Sequence, residues 1–160
     1  DVAGGPPITL GDAPSSRGGS GSRDGRIVFN PNNNVALQKV SAAGGAPTAA
    51  TVLAEGELAH RRPFFLPDGR HFLYTALAST TQAQGLSVYV ASLDSPERKL
   101  LTTADANNVL YSQGHLLFLR ETTLLAQPFD ARRLMFTGEP FPVAEQIQAL
   151  RAYRLHLGQS

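Results

Sequence analysis

An Asp-Gly turn that returns at a fixed interval constrains this chain more than any other feature. "RDGRIVF" occupies 23–29, "PDGRHFLY" 67–74 and "SQGHLLFLR" 112–120; Asp24 precedes Asp68 by 44 residues, and Asp68 precedes Gln113 by 45. A Gly- and Pro-rich marker runs in step: "VAGGPPITL" from Val2, "VSAAGGAPTAATVL" from Val40, "VASLDSPERKLLTT" from Val90 and, more loosely, "FTGEPFPVAE" from Phe136. Its prolines Pro7, Pro47, Pro96 and Pro140 are 40, 49 and 44 residues apart. Two markers keeping step at one period point to a repeat rather than to isolated hairpins.

Between the markers lie three strand-like segments, 35–42, 86–93 and 122–129. In the second, Leu86, Val88, Val90 and Ser92 share one face while Tyr89, Ala91 and Leu93 share the other. Both faces are largely apolar, which predicts a strand sandwiched between sheets. Each unit then reads as four strands, one into the Asp-Gly turn, one out of it, the middle segment, and one after the Gly-Gly or Asp-Ser turn. Asp24-Gly25, Asp68-Gly69 and Gly44-Gly45 are turn formers, because Gly accepts positive φ and Asp bonds its own turn.

Four strands per 40–45 residues is the period of a propeller blade. A blade buries its two faces only against neighbouring blades. The expectation is therefore an all-β chain of about three four-stranded antiparallel blades, an open arc of a larger propeller, since closed rings use about four to eight blades. A β-sandwich is the competing architecture, and it does not account for the synchrony of the markers. Residues 1–146 form the partial propeller, with a blade end at 1–12 and blades at 19–53, 60–103 and 108–146; 147–160 is a divergent or truncated tail. Residues 13–22 read as flexible loop although they fall where a first strand belongs.

Composition agrees with a globular, turn-rich chain: 42% hydrophobic, 17% charged, with 15 Gly and 11 Pro among 160 residues. A net charge of +1 selects neither DNA nor an anionic membrane. Zero Cys removes disulfides and thiolate metal sites. No apolar run approaches the ~18 residues that span a bilayer. The chain opens on Asp1 without Met, as a fragment would, and a leader or an anchor outside it stays open.

The Leu66-Pro67-Asp68-Gly69 turn before an apolar strand, and a strand ending in Gly44-Gly45-Ala46-Pro47, resemble the WD40-like PD40 repeats of bacterial TolB-like propellers. "FLPDGRHFLY", "SLDSPERKLL" and "AQPFDARRLMFTGEPFPVAEQ" look closest to the propeller that follows the kinase domain in acidobacterial-type serine/threonine protein kinases. The resemblance covers 1–146. It implies a binding module, sensory or scaffolding, in the extracytoplasmic part of a bacterial envelope protein such as a receptor-like kinase. Departures are Gly21 where the family carries a bulky residue, and Gln113 in place of the turn Asp.

Chemistry is sparse. There is no Gly-x-Ser-x-Gly elbow, no Gly-x-Gly-x-x-Gly loop, no Walker sequence and no His-Arg-Asp loop, so no catalytic residue, cofactor or metal site is assigned. His60, His71, His115 and His156 are separated by 11, 44 and 41 residues, a repeat pattern rather than a ligand set. His60, Arg61 and Arg62, on the innermost-strand candidate of the second blade, are the channel residues that could meet an anionic ligand or partner. Read structurally, they are a solvated blade edge, or inter-blade ion pairs with Glu55 or Glu57. "NPNNN" at 30–34 reads as a polar loop, and nothing interleaves aromatic with basic residues as nucleic-acid binding would need. The expected function is non-catalytic recognition of a protein, peptide or small ligand. The alternative is the propeller gate of a prolyl-oligopeptidase-like serine peptidase with its catalytic domain elsewhere.

Overall fold

A computed structural model describes residues 7–79, 86–105 and 108–146. Within them every regular element is a strand, and the strands form three antiparallel sheets. Sheet order follows chain order, as expected when each strand folds back on the last through a short turn.

Blade 1 comprises β1 (Gly19–Gly21), β2 (Arg26–Phe29), β3 (Gln38–Ser41) and β4 (Thr48–Ala49). The stretch read as loop at 13–22 thus contains the first strand, held by Gly19↔Phe29 and Gly21↔Ile27. Residues 7–18 contain no strand, so the blade end placed at 1–12 is absent from its described part. Residues 1–6 and the tail from 147, with His156, lie outside the described residues.

Blade 2 is the regular one, with β5 (Glu57–Phe65), β6 (His71–Ala78), β7 (Leu86–Ser92) and β8 (Ser95–Ala104). Blade 3 has β9 (Val109–Ser112), β10 (His115–Arg120) and β11 (Thr123–Asp130), and its outer strand is split into β12 (Met135–Phe136) and β13 (Phe141–Ala144), both paired to β11. The turn between third and fourth strands is Ala131–Leu134, with Leu134 at φ 54°. The "FTGEPFPVAE" marker expected at that turn instead interrupts the outer strand. Pro128 explains the break: its carbonyl accepts from Thr137, but it has no N–H to return to the outer strand.

The alternation in β7 is realised in packing. Val88 and Val90 join Leu66, Leu73, Val109, Leu116, Phe118 and Phe129 in a core between blades 2 and 3. Ala91 and Leu93 face the other way, with Val28, Leu37, Phe65, Phe72 and Tyr74, in a core between blades 1 and 2. Burying side chains the size of Phe72 and Phe118 contributes about 2–3 kcal/mol each. Lysines bridge both seams: Lys39 Nζ donates to the Leu93 carbonyl at 3.0 Å, and Lys99 Nζ to that of Leu134 at 2.8 Å.

The three equivalent turns differ in length. Arg23, Asp24 and Gly25 lie between the bonded Ser22 and Arg26, while Pro67 to Arg70 lie between Leu66 and His71. Gln113 and Gly114 alone separate the paired Ser112 and His115. The Asp68-Gly69 turn is therefore a wider loop than the two-residue hairpin that Asp-Gly favours. Its Gly69 sits at φ +65°, and Asp68 Oδ1 accepts from the backbone N–H of Arg70 and His71 at 3.0 and 2.9 Å.

Candidate functional site

The first strands β1, β5 and β9 neighbour one another, placing β5 and its His60-Arg61-Arg62 run at the edge where the blades converge. Pro63 is tolerated there because an edge strand has a side without ladder bonds. The structure divides the three basic residues between different environments.

His60 is wholly buried. Its Nδ1 lies 2.7 Å from Thr51 Oγ1 and its Nε2 3.0 Å from Glu57 Oε2. Glu57 also meets Arg98 Nη1 at 2.7 and 3.0 Å through its two oxygens, and it accepts from the Ala54 N–H at 2.8 Å. Arg98 Nη1 donates to the Tyr74 hydroxyl at 3.3 Å, and its guanidinium sits 4.2 Å over the Tyr89 ring. Tyr89 stacks on Tyr74 at 5.6 Å.

Charge follows these contacts. Burial pushes the His60 pKa down against the pull of Glu57, so the imidazole is neutral at neutral pH. Burial alone would raise Glu57, but the bonds from Ala54, His60 and Arg98 outweigh it and hold the carboxyl low. Burial pushes the Tyr74 hydroxyl up to about 12. With Glu57 ionised, His60 carries its proton on Nε2, and Nδ1 accepts from Thr51. Carboxylate, imidazole and hydroxyl thus stand in the order used by hydrolytic triads. Here the hydroxyl also accepts from the Leu37 N–H at 2.9 Å, and Arg98 neutralises the carboxylate. The chain of bonds ties β5 to the segment after β4, and so blade 2 to blade 1. The pairing with Glu57 considered for the basic run forms through His60 within β5 itself, and the inter-blade link is the His60–Thr51 bond; Arg61 and Arg62 take no part in either.

Beside this network lies a cleft of about 550 Å³ between blades 1 and 2, lined by Lys39, Thr51, Tyr74, Leu93, Asp94 and Arg98 among others. It exists because β4 is two residues long and leaves the outer part of blade 2 uncovered.

Arg61 is 8% exposed and gives one hydrogen bond, from Nη2 to the Asn33 carbonyl at 3.1 Å. Arg62 is exposed, at φ 51°, where the β5–β6 register shifts. Its backbone N–H donates to the Arg17 carbonyl at 3.0 Å, and Arg17 Nε donates to Asn33 Oδ1 at 2.7 Å. Arg17 and Asn33 were not foreseen as site residues, and Asn30 from the same polar loop is fully buried. Asn30 Nδ2 donates to the His60 carbonyl at 2.8 Å and Oδ1 accepts from the Arg17 N–H at 3.1 Å. The "NPNNN" loop therefore clamps two blades together, a role that its exposed-looking composition conceals.

The turn residues gather at one end of blades 1 and 2. Asp24 pairs with Arg26 at 2.6 Å and bonds the Ser22 hydroxyl. Asp94 meets Arg70 at 2.7 Å and Arg26 at 3.9 Å, so charges from both blades alternate there. Gly25 is at φ +78°, and Gly44 and Gly45 occupy the β3–β4 turn at +99° and +120°. His71 bonds Asp68 at 2.6 Å and His115 the Gln113 carbonyl at 2.9 Å, each closing its own turn.

No protein family and no curated protein matches the chain. Among solved structures it is similar to an oligogalacturonate lyase in complex with manganese, at TM-score 0.59 and 16% identity over 82% of this chain. It is also similar to the β-propeller domain of the Trilobed protease from Pyrococcus furiosus, described as having an open velcro topology, at TM-score 0.53 and 13% identity over 81% of this chain. The chain spans 36% and 43% of those two chains. At such identities the likeness is one of fold: the protein is an all-β, open arc of propeller blades.

Proposed function

We propose that this chain is a run of blades within a larger β-propeller and serves as a non-catalytic module that recognises a protein, a peptide or a small ligand. The outward face of blade 3 carries the reading. Leu110, Leu117, Ala126 and Phe141 stand opposite one another across β9, β10, β11 and β13. Leu116 and Phe118, alternating with Leu117, already fill the core with blade 2, so this row faces away from it. Phe141 is 45% exposed, Val143 beside it 55% and Leu110 40%. Phe141 and Val143, with Leu117 and Ala126, line a shallow hollow of about 230 Å³. The row repeats the pattern that buries both existing seams, and a further blade is the occupant that continues it.

The resemblance to PD40 repeats and to the C-terminal propellers of receptor-like kinases supports placing the module in the extracytoplasmic part of an envelope protein. The similarity to a protease's propeller domain supports the second reading, a gate attached to a serine peptidase domain.

A length series tests the proposal. The 160-residue chain alone should self-associate in sedimentation, Phe141→Asp with Val143→Lys should render it monomeric, and a chain extended by its following blades should be monomeric without those changes. A monomeric 160-residue chain indifferent to the substitutions would sink the reading. A downstream hydrolase domain with a Ser elbow would transfer it to the peptidase alternative.

A further inference from the structure

Arg61 is the buried cation that the fold leaves uncompensated. Its Nε is shut off from solvent and bonds nothing. The charges that act on it are Arg17 and Arg62, both of its own sign, and burial with these neighbours pushes its pKa down. No carboxylate among the described residues pairs with it. Arg98, less buried, is by contrast met by both oxygens of Glu57 and by Tyr74. Removing a guanidinium from water without an anion is costly, and buried charges are as a rule paired.

The backbone around it is built to hold this arrangement. Arg62 takes its positive φ inside a strand, whereas Gln113, Glu121 and Leu134 take theirs at turns and Gln146 after the last strand. A bulge of this kind re-aims side chains at sites rather than in plain ladders. Gly18, at φ +110°, lets the segment before β1 run against it: a Cβ there would lie 3.3 Å from Arg62 Cα. Asn33 holds two of the guanidiniums from its two oxygens, Oδ1 to Arg17 and the carbonyl to Arg61.

We infer that Arg17, Arg61 and Arg62, positioned by Asn33 and the Gly18 approach, form an oxyanion site at the converging edge of blades 1 and 2 that takes a carboxylate or phosphate group. Guanidinium groups suit such anions because their N–H groups bond paired oxygens in a plane. His60 is excluded from the site, since both its ring nitrogens are engaged by Thr51 and Glu57. All the named residues lie on blades 1 and 2 and the segment that enters blade 1, so the test is separable from the one above.

The experiment is thermal unfolding and titration calorimetry of the full chain at constant ionic strength, with sodium chloride replaced by inorganic phosphate in one arm and by acetate in the other. The expected result in at least one arm is a saturable heat of binding and, at about ten times Kd, a rise in Tm of about 3–6 °C relative to chloride. The arm that saturates identifies the group. Arg61→Met should abolish the rise and, in chloride, melt no lower than the parent, because an unpaired buried cation has gone. Should that variant fail to fold, Arg62→Ala at an exposed position serves instead, with Kd weakened about tenfold. Arg132→Gln, on the distant β11–β12 turn, should respond as the parent does. Equal behaviour in all three salts overturns the inference, as does a saturable response that survives both Arg61→Met and Arg62→Ala.

Discussion

Arg98 and Glu57 lie 41 residues apart in sequence and meet across blade 2, Nη1 to Oε1 at 2.7 Å. The pair joins the outermost strand to the start of the innermost one while the two strands between them pass beneath. Tyr74 and Tyr89, from those middle strands, supply the hydroxyl and the ring on which the guanidinium rests. The pair is mostly buried, with side-chain exposures of 25% and 12%, so losing one partner strands the other. Glu57→Gln should therefore destabilise the chain by about 2–4 kcal/mol in urea unfolding. A loss below about 0.5 kcal/mol would reduce the pair to surface decoration.

The same network sets an acid limit. The His60 pKa lies below its ordinary 6.5 in the folded chain, so below about that pH the unfolded chain binds a proton that the folded chain refuses. Stability then rises with pH through this window, and it falls on acidification. Glu57 and Asp68 act in the same direction lower down. Their folded pKa values lie below 4.5 and 3.8, so their contributions are present above those values and fade as pH drops through the folded ones. Urea midpoints should decline in two stages, the first as pH falls through the ordinary histidine value of about 6.5, the second below about pH 4.5. His60→Gln should erase the first stage while keeping the second. An unchanged first stage in that variant would assign it elsewhere.

At the third turn, Gln113 and Gly114 both adopt positive φ, 47° and 79°, the conformation of a two-residue hairpin loop of type I′. Glutamine pays a steric penalty there that asparagine largely escapes. Gln113→Asn should stabilise the chain by about 0.5 kcal/mol, and Gln113→Gly should do so comparably. At Gly69, already at φ +65°, alanine should cost about 1 kcal/mol. Thermal melts of the three variants check both signs, and a destabilised Gln113→Asn would contradict the turn geometry.

Those turns also explain how much was legible in sequence. Asp24, Asp68 and Gln113 act locally, through their own loops, and local chemistry leaves a period that can be counted. The two-faced apolar pattern of β7 was readable for the same reason, since strand alternation needs no knowledge of partners. The split outer strand of blade 3 was misread because a Gly-Pro marker signals a break but not which strand is broken; Pro128, across the ladder, decides that. Arg98 escaped notice entirely, because Tyr74 and Glu57 are 24 and 41 residues away and the acidic residues near it in sequence, Asp94 and Glu97, are not its partners. The basic run on β5 was visible, yet its division was not, since whether His60 or Arg61 is satisfied depends on Thr51 and Asn33 from another blade.

Asn30 gives the sharpest case of such cross-blade dependence. Fully buried, it bonds the His60 carbonyl of blade 2 and the Arg17 N–H at the entry to blade 1. Alanine would leave both groups without partners and a small void beside them. The expected loss is about 2–3 kcal/mol in urea unfolding, more than the net worth of a single hydrogen bond, because the stranded groups keep their desolvation cost. The damage should also be local. β1 is three residues long and leans on β5, so it depends on the clamp far more than β6 and β7, which have partners on both sides. Hydrogen exchange should show the amides of Gly19–Gly21 and Arg62 losing protection while those of β6 and β7 open only with the whole chain. Uniform loss across the three blades would mean that Asn30 stabilises the stack as one unit instead of pinning its first strand.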